Sequence, residues 1–250
     1  MSHAAADRSQ TVTEAITARR ASLLLGATGV LLTLACALAA RRMPFTPAFP
    51  DAGVSVDFVQ MLGPGWERPT VLYLGFVSAT FALYAVALAI VWRAPRVSRL
   101  ALCGFPLLAA LALVPMYPPT AMDMFHYQAM GRIFWVFGQN PLLTPQGLYP
   151  YPIGISWSEL ASPYGPLWSL LVAPVVLLPG EHLVAGLYAF KLTALASLIG
   201  CTALVWVLVR RRRPGAEAFA VVLLAWNPFV LMRVMADGHN DLWMMLFVLL

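Results

Sequence analysis

Apolar runs of about membrane-spanning length occupy most of the 250-residue chain. A helix of about 20 residues crosses the hydrocarbon core of a bilayer, whereas a soluble domain interrupts its apolar stretches with polar faces. Charged residues make up only 11% of the chain, compared with about 25% in a soluble domain. We therefore expect an all-α, polytopic transmembrane helical bundle with spans near 21–40, 70–92, 100–117, 183–209, 216–234 and 242–250.

The two ends of the chain predict how it sits in the membrane. Residues 1–20 form a polar tail, and the apolar run that follows is longer than the core of a signal peptide, about 7–15 residues. We expect a cytoplasmic tail at 1–20 and a single membrane domain at 21–250. The last span holds about nine of the roughly 20 residues that a crossing needs. We interpret this span as truncated and the chain as the N-terminal part of a longer protein.

The apolar segment Pro166–Pro179 is too short to span, because its helix would reach about 21 Å and the hydrocarbon is about 30 Å thick. We expect an interfacial or re-entrant helix there. The run Arg210–Arg213 then faces the cytoplasm, as the positive-inside rule requires. A multi-pass protein of the cell (plasma) membrane follows, with outer loops at 41–69 and 118–182. Eight of the eleven acidic residues lie on its outer face: Asp51, Asp57, Glu67, Asp123, Glu159, Glu181, Asp237 and Asp241.

Several function classes are disfavoured by what the sequence contains. The net charge of +5 does not indicate nucleic-acid binding, because the basic residues lie at helix ends, where they set membrane orientation. The three cysteines lie far apart in apolar runs, without metal-ligand spacing. The sequence also lacks a Gly-rich phosphate loop and a serine nucleophile motif. We predict no cofactor and leave a metal requirement open, since no acidic pair clearly forms a metal site.

Asp123 opens the chemistry-bearing part of the second outer loop. It lies just after a predicted span, between methionine residues and close to Phe125, and a carboxylate in such a partly desolvated position is a better base. A helix over 123–137 places His126 and Tyr127 on the same face as Asp123, at i+3 and i+4. The alternative is that Asp123 is an N-cap residue, which on spacing alone is its commoner role.

Three further positions in this loop are candidate site residues. Arg132 is the only arginine or lysine of the loop, and its guanidinium either binds phosphate in a bidentate way or extends to the lipid headgroups. Asn140 lies in the glycine- and proline-containing turn that ends the predicted helix. Tyr164 lies in a rigid turn that suits either an interfacial aromatic belt or the wall of a groove.

The later spans contribute a second group of charges. Lys191, the only lysine, lies about two turns into its span, where it either faces a partner or polar cavity or extends back to the interface. Arg233 stands near the outer end of its span, just before the segment 237–241. This segment, Asp-Gly-His-Asn-Asp, can bind a phosphate or a polar acceptor. It also fits an Arg233–Asp237 i,i+4 pair followed by a helix cap at Asn240 or Asp241.

The order of these motifs resembles the lipid-donor glycosyltransferases of the GT-C superfamily, in particular bacterial polyprenol-phosphate-mannose-dependent α-mannosyltransferases. The resemblance covers the chain from about Tyr117 to its end. Three pieces carry it: Asp123–Tyr127 continuing through Gly131-Arg132 to Asn140-Pro141, then Pro163–Leu167, then Gly238–Asp241.

The resemblance implies an inverting transfer of a sugar, mannose in this subgroup, from a polyprenyl-phosphate donor to a glycan or glycolipid acceptor on the outer face. Asp123 falls on the family's catalytic base, and a positioned base contributes roughly 10²–10⁴-fold to a rate. The donor phosphate is expected near Arg132, Lys191 and Arg233. The residues expected to bind acceptor or substrate are His126, Tyr127, Asn140, Tyr164, His239, Asn240 and Asp241.

Two other functions compete with the transferase. A transporter or lipid flippase would carry ionisable groups near the bilayer midplane on broken helices, whereas here only Lys191 lies inside a span. An inactive N-terminal fragment of such a transferase, or an assembly subunit, is the other alternative, and it is motivated by the end of the chain at Leu250.

Overall fold

The chain is described here by a computed structural model that covers residues 2–44, 67–121, 123–150, 158–180 and 182–250. Most of the first predicted outer loop, with Asp51 and Asp57, lies outside these residues, and so does Glu181. Within the covered ranges the regular structure is helical, and the only β-type pairing there is an isolated bridge between Pro44 and Met116. The expected all-α fold is confirmed.

The helices follow the apolar runs of the sequence. In chain order they are α1 (Ser2–Arg42), α2 (Glu67–Arg93), α3 (Phe105–Leu113), α4 (Asp123–Trp135), α5 (Pro166–Leu171), α6 (Ala173–Leu177), α7 (Leu183–Arg212), α8 (Glu217–Ala225), α9 (Pro228–Val230) and α10 (Asp241–Leu249). A π-helical turn, Leu100–Gly104, leads into α3, and another, Leu231–Ala236, continues α9. A 3-10 turn occupies Gln146–Leu148.

Helices α1, α2 and α7 are long and apolar enough to cross a membrane. Helix α8 and the stretch Pro228–Ala236 form a fourth span if the two are counted together across a bend of about 40°. The bend lies at Asn227-Pro228, because a proline has no backbone N–H to continue the helix. The side-chain oxygen of Asn227 instead accepts a hydrogen bond from the backbone N–H of Phe229, at 3.0 Å. The protein is therefore a helical membrane protein.

The helical stretch 100–113 is shorter than the predicted span 100–117, and it lies among the longer helices. A turn follows Leu113, the last residue of α3. Ala109, Ala110 and Leu113 are fully buried in the core that α3 shares with its neighbours. Glycine permits the closest approach to α1, since a Cβ added at Gly29 would lie 2.3 Å from the Cγ of Phe105.

Helix α4 begins at Asp123 and ends two residues before the predicted Phe137. The turn after the helix leads to Gly138, whose φ of +66° is a left-handed conformation that suits glycine. The segment 166–179 forms the two short helices α5 and α6, and α6 packs against α4. A Cβ added at Gly131 would lie 2.5 Å from a methyl carbon of Val176. A second buried cluster holds α4, α6 and the start of α7 together: Tyr117, Met124, Phe125, Tyr127, Val172, Val175, Val176, Leu187 and Phe190.

Candidate active site

The carboxylate of Asp123 lies where three stretches distant in sequence meet. One oxygen, Oδ1, accepts a hydrogen bond from the Tyr164 hydroxyl at 2.5 Å. The other, Oδ2, lies 3.4 Å from Nε2 of His239. The side chain is 24% exposed, so it is held by the protein and still open to a ligand. Both partners lie outside α4, so the contacts of this carboxylate extend beyond capping the start of the helix.

Tyr164 is positioned by its loop and by a neighbouring ring. Its backbone N–H donates to the Ser162 hydroxyl at 3.2 Å, and its ring meets the Tyr127 ring edge-on with centroids 4.7 Å apart. Burial, followed by the hydrogen bond to Asp123, raises the pKa of the Tyr164 hydroxyl above its ordinary value. Tyr164 therefore stays protonated and donates to the carboxylate.

Tyr127 connects α4 to the segment 237–240. Its hydroxyl donates to the side-chain oxygen of Asn240 at 3.1 Å, and burial raises the pKa of Tyr127 so that this donor also stays protonated. The Tyr127 ring additionally packs edge-on against Trp168, with centroids 5.1 Å apart. Tyr127 therefore joins α4 to the residues just before α10.

His239 lies between two carboxylates. Its Nε2 faces Asp123 at 3.4 Å, and its Nδ1 lies 3.7 Å from Oδ2 of Asp241. The backbone turns sharply just before it, because Gly238 has a φ of +77°. A Cβ on Gly238 would lie 2.8 Å from the sulfur of Met124, so this residue also packs closely on α4. An imidazole between two carboxylates can pass a proton from one to the other.

A buried polar network underlies the segment 237–240. Asp237, which is completely buried, accepts hydrogen bonds from the backbone N–H of Thr120 at 2.9 Å and from the Thr120 hydroxyl. Arg233 donates to Asp237 at 3.0 Å and to the Thr120 hydroxyl at 2.9 Å. The i,i+4 pair expected from the sequence is thus present. Thr120, and the degree to which Asp237 is buried, have no signal in the sequence.

Lys191 is 1% exposed and completes the support of this region. Its ammonium group donates to the backbone carbonyl of Ala236 at 2.7 Å and to that of Met116. The lysine therefore fixes the chain on both sides of the Asp123 pocket, instead of extending to the interface or facing an open polar cavity.

The remaining predicted residues have other hydrogen-bond partners. His126 contacts the side chain of Gln146, and burial lowers the pKa of His126 and favours its neutral form.

Arg132 is nine residues after Asp123 along α4, a rise of about 13 Å, and donates to the carbonyl of Gly180 at 3.1 Å. Asn140 lies beyond the end of α4 and accepts from the backbone N–H of Leu142 at 3.0 Å.

Metal ligands are not clustered at this site. Over the ranges that the structure covers, no group of three or more histidine, cysteine, aspartate or glutamate side chains is arranged to hold a metal ion. The ring nitrogens of His239 lie 3.4 Å from Asp123 and 3.7 Å from Asp241.

The chain is similar to several curated proteins. An alpha-(1->6)-mannopyranosyltransferase of Mycobacterium tuberculosis is 31% identical over 54% of this chain and 23% of its own length. A probable alpha-(1->6)-mannopyranosyltransferase of Mycolicibacterium smegmatis is 28% identical over 90% of this chain and 41% of its own length. Alpha-(1->6)-mannopyranosyltransferase B of Corynebacterium glutamicum is 27% identical over 50% of this chain and 21% of its own length. The chain thus spans less than half the length of each of these relatives.

No solved structure matches the chain significantly. A family model described as "Alpha-(1->6)-mannopyranosyltransferase, N-terminal domain" matches residues 23–250. The match includes every residue described above around Asp123, together with all the spans after the polar tail. The chain belongs to this family of alpha-(1->6)-mannopyranosyltransferases, of which it carries the N-terminal domain.

Proposed function

We propose that the full-length protein is a membrane mannosyltransferase that uses a polyprenyl-phosphate mannose donor and has Asp123 as its catalytic base. One observation carries the proposal: a partly exposed carboxylate held between Tyr164 and His239 at one end of the helices. The family match and the names of the relatives support mannose as the transferred sugar.

In the proposed reaction, a hydroxyl of a glycan or glycolipid acceptor attacks the anomeric carbon of the donor. The new bond forms between the acceptor oxygen and this carbon, while the bond from the carbon to the phosphate oxygen breaks. Polyprenyl phosphate leaves with the electron pair, and Asp123 takes the hydroxyl proton. The leaving group is already competent, so the protein mainly needs to supply the base, worth roughly 10²–10⁴-fold. Direct displacement inverts the carbon, so an α-linked product requires a β-linked donor.

The neighbours of Asp123 have distinct roles in this mechanism. Tyr164 donates to one carboxylate oxygen and thereby directs the other towards the acceptor. His239 stands between Asp123 and Asp241, where it can carry the proton away from the site after transfer. Tyr127 and Asn240 hold the two sides of the pocket together. His126 supports the same face of α4 through Gln146.

The donor phosphate needs a cation close to this carboxylate. Arg233 is the best placed of the three candidates, because it lies beside the segment that carries His239 and its side chain is 31% exposed. Lys191 acts indirectly, because its ammonium group is already bound to two backbone carbonyls. Arg132, at the opposite end of α4, suits a more distant part of the donor or the lipid headgroups.

We further propose that the protein is a multi-pass protein of the cell membrane with a cytoplasmic N-terminus. The arginines support this orientation. Arg210–Arg213 lie at the end of α7 that is remote from Lys191. Arg93 is the last residue of α2, and Arg96 and Arg99 lie between α2 and α3. The positive-inside rule places these groups in the cytoplasm. Asp123 and the acceptor then lie on the outer face.

The test uses membranes that contain the full-length gene product and a radiolabelled polyprenyl-phosphate mannose. We expect Asp123→Asn, which keeps the size of the side chain, and Asp123→Ala each to reduce transfer at least about 100-fold. Glu159→Gln is the matched control, since it neutralises an exposed carboxylate of the same loop. It should keep wild-type transfer, and all variants should insert at wild-type levels.

Two results would contradict the proposal. Transfer that survives both substitutions at Asp123 would remove this residue as the base. A wild-type protein that inserts normally yet transfers no sugar from polyprenyl-phosphate donors would make a transporter, or an inactive fragment or assembly subunit, the better interpretation.

A further inference from the structure

A cavity of about 540 Å³ lies among the arginines at the end of the bundle remote from Asp123. Four arginine side chains line it, from α1, from the segment between α2 and α3, and from α7: Arg19, Arg96, Arg99 and Arg210. Two serines, Ser22 and Ser98, add hydroxyl groups to its wall. The lining therefore presents four positively charged hydrogen-bond donors.

The positive charge of this cavity is only partly neutralised by the protein. Arg96 pairs with Glu14. The carboxylate of Glu217 lies on the wall but accepts a hydrogen bond from the backbone N–H of Gly215 at 2.8 Å. Among the described residues, no carboxylate forms an ion pair with Arg19, Arg99 or Arg210. The cavity is therefore suited to an anion from outside the chain.

An apolar groove of about 410 Å³ adjoins the basic cavity. It runs between the start of α3, α7 and α8, and its lining includes Cys103, Leu107, Ile199, Ala203, Val207 and Val221. Trp206 lines both the groove and the cavity. The Arg99 guanidinium lies over the Trp206 ring, 5.6 Å from its centroid, at the junction of the two spaces.

We infer that the cavity and the groove together bind one anionic phospholipid of the bilayer, with its phosphate headgroup among the arginines and an acyl chain in the groove. The charge fits this ligand, because basic pockets between membrane helices bind anionic headgroups. The shape fits as well, since the groove runs along α7 from the arginine end towards the centre of the helix. An arginine cluster alone would account for neither the groove nor the shared tryptophan.

This lipid is distinct from the sugar donor of the proposed reaction. Lys191, which lies beside the Asp123 pocket, and Arg210 are 19 residues apart in the continuous helix α7, a rise of about 28 Å. A sugar bound at the arginines is therefore out of reach of Asp123. The inference goes beyond the proposed transfer, and lipid binding can be measured whether or not sugar is transferred.

The binding experiment uses purified full-length protein that has been stripped of lipid and is then titrated with phosphatidylglycerol, with retained lipid counted by native mass spectrometry. The double variant Arg99→Gln with Arg210→Gln should weaken binding about 30-fold, because each arginine near a membrane surface contributes roughly fivefold. The double variant Arg212→Gln with Arg213→Gln removes the same charge just outside the cavity and should change binding less than about threefold.

Filling the groove tests the acyl-chain half of the site. Ala203→Phe places a ring in the groove and should weaken binding at least about fivefold without altering any charge. Brominated acyl chains should also quench the fluorescence of Trp206, which is measured as the difference between wild type and Trp206→Phe. The unfolding temperature of each variant without lipid checks that the fold is retained.

Four comparison results decide the inference. Preference for phosphatidylglycerol over phosphatidylcholine, which has the same tails without the net charge, would support it. Equal losses in the two double-arginine variants would overturn it in favour of general surface attraction. Inorganic phosphate binding as tightly as the lipid would overturn the role of the groove. Tighter binding of polyprenyl phosphate than of phosphatidylglycerol at this site would overturn the assignment to a bilayer phospholipid.

Discussion

The two ends of this helical bundle handle charge in opposite ways. Near Asp123, the buried ions Asp237 and Lys191 are satisfied by partners within the chain, and Arg233 is shared between Thr120 and Asp237. At the remote end, four arginines line a cavity, and within the described part of the chain only Arg96 is paired with a carboxylate. Buried charges must be compensated inside the protein, whereas exposed ones are solvated and exchange partners freely. The first end is therefore suited to fixed geometry, and the second to recognition of membrane lipid.

The largest expected contrast comes from removing the buried carboxylate of Asp237. Asp237→Ala leaves Arg233 and the Thr120 amide without their acceptor, and breaking a buried pair costs about 3 kcal/mol. Glu217→Ala, at the arginine end, removes a partly exposed carboxylate and should cost less than about 1 kcal/mol. The free energy of unfolding of full-length protein in detergent measures both. Equal losses would show that the two ends do not differ in this respect.

A smaller effect is expected when one hydrogen bond to Asp123 is removed. Tyr164→Phe keeps the ring against Tyr127 but removes the hydroxyl donor, and we expect transfer to fall about tenfold.

Tyr149→Phe is the matched control for this variant, since Tyr149 stacks on Phe137 beyond the end of α4. It should leave the rate unchanged. A wild-type rate in Tyr164→Phe would show that the hydroxyl is not needed at the carboxylate.

The smallest effect is expected at the exposed ion pair between Arg96 and Glu14. Their side chains are 79% and 64% exposed, and such pairs contribute at most about 1 kcal/mol. Glu14→Gln should therefore change the free energy of unfolding by less than about 0.5 kcal/mol, and high salt should abolish even that difference. A change above about 1 kcal/mol would mean that this end is also structurally fixed.

Several helices and one ion pair could be predicted from the sequence. Uninterrupted apolar runs predict α2 and α7 closely, because a span needs only length and hydrophobicity. They predict only the apolar part of α1, whose helix begins at Ser2, within the predicted polar tail. The i,i+4 spacing predicted the Arg233–Asp237 pair, since helical neighbours are local. Asp123 and His239 were assigned to one candidate site because the order of their motifs resembles that of a known family. The catalytic and binding roles of these residues stay predictions.

Other features depend on contacts that a linear pattern does not contain. Thr120 is an ordinary loop residue until Asp237 is folded against it. The ammonium group of Lys191 lies between two carbonyls that belong to different segments, a contact that the sequence does not reveal. Arg132 is near Asp123 in sequence, yet the rise of α4 separates them. The predicted span 100–117 includes the turn after Leu113, which apolarity alone does not reveal.

The contact between Asp123 and His239 also sets an order of events during synthesis. More than a hundred residues separate the two, including all of α7 and α8. At about 5–20 residues per second, a ribosome produces His239 roughly 6 to 23 s after Asp123. During that interval the carboxylate lacks its histidine, and Lys191 lacks the Ala236 carbonyl. The pocket is therefore assembled only after the later spans are made, and chaperones or insertases that act on the nascent chain meet an open, incomplete form of it.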